Sequence, residues 1–204
     1  MLERLWNKRT LVVSACFVLA AILLIVMPPE AKLGQKVRLV YFHASIAENS
    51  IVFFVLAAVF ALGWFARKNA ATLARAKSFF LVAFYLWIVQ TFLGGLNMKI
   101  IWGHFFWGEP KARLGLVLLA ASLLVYLAGE VLSSGAVVST LYVAMGALAI
   151  FGLLFTSNVF HPENAIFGSD VLVYKIIFPV LVVLFFVVAL LWSHSILKKL
   201  EHAQ

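Results

Sequence analysis

The sequence is short of charge, of acidic residues and of cysteine, and each shortage excludes something. Charged residues make up 12% of the 204 and apolar residues 65%. A soluble domain has about 25% charged and about 45–50% apolar residues. So little charge cannot cover a surface facing water, and the chain belongs in a bilayer. Acidic residues number 8 against 16 Lys and Arg, giving a formal net charge of +8. The basic residues stand in small groups between hydrophobic runs, where they face lipid headgroups, so nucleic acid is excluded as a first reading. The single cysteine, Cys16, lies inside the first apolar run. A disulfide framework, a cysteine metal site and a C-x-x-C-H sequence for covalent haem attachment are therefore all excluded. No repeat, low-complexity tract or domain linker interrupts the chain, which reads as one membrane domain over 1–204.

Six apolar runs are present, at 11–27, 45–65, 79–96, 114–131, 138–155 and 171–192. At 1.5 Å per residue each crosses a hydrocarbon core of about 30 Å, the shorter ones with some snorkelling. They predict an all-α polytopic membrane protein. The first run, preceded by Arg4, Lys8 and Arg9, has the basic flank of a signal peptide, but it is longer than a typical h-region and Pro28-Pro29-Glu30 offers no small-x-small cleavage site. It reads as a retained span. An even number of spans puts both termini on one side. That side carries nine Lys and Arg against seven on the other, which favours cytoplasmic termini and external loops at 28–44, 97–113 and 156–170. The link at 132–137 is a tight helical hairpin with Ser133, Ser134 and Gly135 as turn residues.

Of the five histidines, His43, His104 and His161 fall one in each external loop, while His194 and His202 stand at the basic C-terminal end. Imidazole is a common metal ligand and an axial ligand to haem iron, whereas a macrocycle needs flat apolar contacts and cations for its carboxylates. The central loop reads Trp102-Gly103-His104-Phe105-Phe106-Trp107-Gly108-Glu109-Pro110-Lys111-Ala112-Arg113. It offers an aromatic platform, with Gly103 and Gly108 permitting close backbone approach and Lys99, Lys111 and Arg113 as partners for carboxylates. An aromatic belt at the membrane interface and simple end-anchoring are the ordinary alternatives for these tryptophans and cations. Within the spans, Glu48 is expected to face the bundle interior, because an ionisable group is costly in lipid. Gln90, Gly94 and Gly95 read as helix-contact residues, and Pro179 is expected to kink the sixth span.

Together these residues resemble the CcmC/CcsA-type cytochrome c assembly family, membrane proteins that bind and pass on haem and carry a tryptophan-rich external loop, the WWD domain. The six-span size is similar to the CcmC branch. Against a motif of the type W-G-x-x-W-x-W-D, Trp102 and Gly103 match the opening, Phe105 and Phe106 stand where large aromatics occur, and Glu109-Pro110-Lys111 stands for the closing D-P-K. Phe106 and Gly108 replace motif tryptophans, and Trp107 sits one position from another. Tyr41-Phe42-His43 and Phe160-His161-Pro162 look like the family's flanking histidine segments, although Ala44-Ser45-Ile46-Ala47-Glu48 replaces the usual P-A-A-W. The resemblance implies non-covalent haem held near the outer face between His43 and His161, against Trp102, Gly103, His104, Phe105, Phe106 and Trp107, with Glu109, Lys111 and Arg113 beside it. It further implies a carrier rather than an enzyme, sited in a bacterial inner membrane with its termini cytoplasmic. Its partners would be other cytochrome c maturation subunits and a haem chaperone, with no nucleic acid. Two other readings stay open: an electron-transfer subunit with a permanent b-type haem, and a permease or assembly subunit that binds no haem.

Overall fold

A segment crossing a bilayer must satisfy every backbone N–H and C=O within itself, and an apolar helix does so. The computed structural model describes residues 2–157 and 170–202, with side chains from Lys8 onward. Six helices follow one another: α1 (Leu2–Val26), α2 (Val37–Arg67), α3 (Ala70–Trp102), α4 (Pro110–Val131), α5 (Gly135–Phe155) and α6 (Leu172–His202). All six are long and apolar enough to cross a membrane. Among the described residues no strand forms, apart from an isolated bridge between Glu30 and Gly34.

The helices outrun the apolar runs. α2 begins at Val37 rather than 45, α3 covers 70–102 rather than 79–96, and α6 continues to His202. Hydropathy marks where lipid ends, whereas a helix ends where its hydrogen bonding is capped, and Lys and Arg carry it onward by reaching for the headgroups. Asn69 caps α3 by accepting from Thr72 N at 2.8 Å, and Pro110 opens α4. The segment 97–113 thereby contracts to a loop at 103–109. His43 lies within α2, Lys99 in the last turn of α3, and Lys111 and Arg113 in the first turn of α4. α6 runs through Pro179 without a break.

The helices alternate in direction, so one end of the bundle carries the 103–109 loop and the other both termini. α2 is the central element, packed on α3, α5 and α6. α4 leans on α3 and α5, and α1 leans chiefly on α6. The main core is aromatic: Phe80 stacks on Tyr142 at 4.7 Å, and Phe54 lies against Phe80 and Trp87. A second cluster joins Tyr41 of α2 to Tyr174 and Phe178 of α6. Small residues let backbones approach, as helices in lipid require. A Cβ at Gly146 would stand 2.6 Å from Ala58 Cβ and 3.0 Å from the Phe54 carbonyl oxygen. Buried polar groups tie helices together: Ser50 Oγ donates to Ala83 O at 2.7 Å, Asn49 Nδ2 to Val182 O at 3.0 Å, and Trp87 Nε1 to Gly115 O at 2.9 Å. Glu48 does not face the interior as expected; it is exposed on the protein surface, with Lys111 close enough for their charges to interact. The neighbouring Asn49 takes the interior position, where its Nδ2 donates to two backbone carbonyls while its Oδ1 has no partner.

Candidate functional site

The loop at 103–109 is held at both ends by backbone bonds and by cations. α3 stops at Gly103, whose φ of 80° is in the left-handed region that favours glycine, and whose N–H bonds to Lys99 O at 3.1 Å. Lys99 Nζ then donates to Gly103 O at 3.0 Å. At the far end Arg113 Nε donates to Trp107 O at 2.8 Å, and Glu109 N bonds to Phe106 O at 3.3 Å. Two of the cations expected to meet ligand carboxylates thus each commit one donor to a loop carbonyl. Lysine and arginine have further donors, so this does not exhaust them.

Between these anchors the rings alternate. Phe105 and Trp107 stack on one another at 6.0 Å, while His104 meets Phe106 edge-on at 6.3 Å. Trp102 and Phe106 are half-buried, but Phe105 is 50% and Trp107 63% exposed. The platform therefore packs against the protein on one side and is open on the other. Glu109 is enclosed completely at the N-terminus of α4, so its carboxylate is not on the exposed face of the loop. A carboxylate there also meets the positive end of the helix dipole. The two loop glycines have local reasons. Gly103 serves its backbone angle, with nothing within 4 Å of an added methyl, whereas Gly108 makes room for Phe106, whose Cζ would be 2.9 Å from a Cβ.

His43 and the loop each reach α3, His43 at Gly94 and Phe105 at the adjacent Gly95. A Cβ at Gly94 would stand 3.1 Å from His43 Cε1, and one at Gly95 would stand 3.3 Å from Phe105 Cε1. By sequence this pair reads as a helix contact. In the structure each glycine seats a ring of the candidate site, and adjacent positions on α3 bring the imidazole and the aromatic loop to one turn. His104 is exposed, and its Nδ1 lies 2.9 Å from Trp102 O. A carbonyl only accepts, so Nδ1 is the donor in this contact, and in the neutral ring that leaves the lone pair on Nε2, one of the two nitrogens through which imidazole ligates metals. His161 lies outside the described residues, and so does most of its loop. His194 and His202 are exposed at the termini end, away from the site.

Asn97 is a residue that hydropathy does not single out. It stands just past the apolar run at 79–96 and reads as loop, yet it lies in α3 and is 8% exposed. Among the described residues no three of His, Cys, Asp and Glu gather as a metal-holding cluster, so an ion needing several side-chain ligands has no evident seat there. Iron in a macrocycle needs only one or two axial side chains. A cavity of about 240 Å³ lies at the opposite end, lined by Leu73, Lys77, Gly129, Val138, Tyr142 and Leu200 among others, with Lys77 paired to Glu130 at 2.8 Å. The sequence matches no protein-family model, and no curated protein shows significant similarity to it.

Proposed function

We propose that this chain is a membrane haem carrier that holds haem at the aromatic end and passes it on during c-type cytochrome maturation. The observation that supports this best is the seating of His43 on Gly94 and of Phe105 on the adjacent Gly95. An imidazole and a stacked aromatic surface on one helix turn fit the needs of a planar iron macrocycle. His43 and His161 are the proposed axial ligands. Trp102, Gly103, His104, Phe105, Phe106 and Trp107 form the surface against the ring, with Lys111 and Arg113 near its carboxylates and Glu109 enclosed at the end of the loop. His104, whose Nδ1 faces the Trp102 carbonyl and so turns Nε2 away from that contact, is the substitute ligand. Two imidazoles supply affinity, and the exposed faces of Phe105 and Trp107 give the ligand an open edge for release. That edge favours a carrier over a subunit with permanent b-type haem. No bond of the haem is made or broken, so the role is that of a chaperone rather than an enzyme.

In this reading the aromatic end is external and both termini are cytoplasmic, in a bacterial inner membrane beside other maturation subunits and a haem acceptor. Visible absorption of the detergent-purified chain tests it. His43→Ala and His161→Ala each abolish a low-spin bis-histidine spectrum, His104→Ala weakens it, and His194→Ala leaves it unchanged. An unaltered spectrum in the His43→Ala, His161→Ala double variant overturns the ligand assignment. A cytoplasm-only reporter active when fused after Pro110 overturns the orientation.

A further inference from the structure

Asn97 stands one turn beyond Leu93 and Gly94 on α3. Gly94 seats the His43 ring, and Leu93 packs on the cluster of Tyr41, Tyr174 and Phe178. The helical repeat puts 93, 94 and 97 on neighbouring lines of one face. Asn97 therefore continues the His43 face toward the aromatic end, where α2, α3 and α6 converge. Its side chain is 8% exposed, and neither Nδ2 nor Oδ1 has a hydrogen-bond partner. Asn49, by contrast, places both protons of its Nδ2 on carbonyls, Ser45 O at 2.8 Å and Val182 O at 3.0 Å. A buried amide with both atoms unmet is rare, because each has been stripped of water without compensation.

We infer that Asn97 is a binding residue of the His43 site and that its amide holds a carboxyl group of the bound planar ligand. The inference rests on the haem reading above, in which that group is a propionate. Nδ2 donates to one carboxyl oxygen. Oδ1 accepts from the acid O–H, or from a water when the carboxyl is ionised. One ligand group thus answers both unmet atoms. The same end of α3 carries Lys99, with Arg113 just across the loop, so the local field favours an anionic group. Each of those cations already gives a donor to a loop carbonyl, whereas the Asn97 amide is wholly uncommitted.

The test titrates the purified full-length chain in detergent with haem and with haem dimethyl ester, whose carboxyls are blocked. The unaltered protein prefers haem by about ten- to a hundredfold, the range for a hydrogen bond to a charged group. Asn97→Leu, close in volume but without the amide, loses that preference, while its diester affinity falls by no more than the neutral hydrogen bond an ester carbonyl accepts, about tenfold, and the spectrum is unchanged. The retained diester binding shows that the variant is folded. Asn97→Asp, which sets a carboxylate against a carboxylate, weakens haem but not the diester and supplies the same answer should the leucine variant fail to fold. A variant that keeps the full preference for haem overturns the role of Asn97 and leaves the haem reading standing. An unaltered protein that binds neither compound overturns both.

Discussion

A single methyl group separates glycine from alanine, and at position 94 that methyl would press on His43 Cε1 from 3.1 Å. The imidazole can give only by turning in α2, because α3 behind the methyl is fixed by its own hydrogen bonds. Gly94→Ala is expected to shift the ring and lower haem affinity about tenfold, in line with the 1–3 kcal/mol of overpacked sites, with altered Soret absorption. Gly95→Ala displaces Phe105 instead and leaves the histidine-coordinated spectrum in place. Equal spectral damage from both variants would show that the two glycines do not seat separate rings. The ring-bearing residues were legible in the sequence, as Tyr41-Phe42-His43 and the run from Trp102 to Trp107. The glycines beneath them were not, since the choice of ring above Gly94 depends on how α2 is rotated against α3. Asn97 was hidden for a related reason: its polarity places it outside the lipid, but says nothing of whether protein encloses it there.

At the scale of the element, the loop depends on how α3 stops. Gly103 has φ 80° with nothing within 4 Å of an added methyl, so an alanine there meets no clash and suffers only the backbone penalty. Gly103→Ala is expected to cost about 1–2 kcal/mol, the usual penalty for an L-residue in the left-handed region. The cost falls on the loop, so detergent denaturation should change little while quenching of the loop tryptophans by acrylamide rises. Unchanged quenching would mean that the Lys99 and Arg113 contacts alone hold the loop. The number of helices and their order could be read from hydropathy, because six apolar runs leave a bilayer few choices. Their ends could not, because Asn69, Gly103 and Pro110 set them through hydrogen bonding and backbone angle, which hydropathy does not register. His43, read as a loop residue, proved to be helical because α2 begins at Val37, well ahead of its apolar run.

For the whole molecule, one close helix approach is between α2 and α5 at Gly146. Its neighbour on one side is a backbone carbonyl, the Phe54 oxygen at 3.0 Å from an added Cβ, which cannot swing away as a side chain can. Gly146→Leu is expected to separate the two helices and destabilise the fold by about 1–3 kcal/mol or more. A lowered melting temperature in detergent with weakened haem retention checks it. Gly115→Leu, with nothing within 4 Å of its Cβ position, is the matched control and should melt near the unaltered protein. The Lys77–Glu130 pair at the opposite end is half exposed and adds about 0–1 kcal/mol, so its loss would be hard to detect.

The helices also differ in length. α2, α3 and α6 have 31, 33 and 31 residues, whereas α4 and α5 have 22 and 21. At 1.5 Å per residue the first group reaches about 46–50 Å and the second about 32 Å, against a hydrocarbon core of about 30 Å. The protein is thus taller along α2, α3 and α6 than along α4 and α5. Lipids beside α4 and α5 meet a perimeter matched to their own thickness, while α2, α3 and α6 must tilt or rise into the headgroups. The loop at 103–109 joins the long α3 to the short α4, and its exposed Trp107 is a ring of the kind that settles at a membrane–water interface.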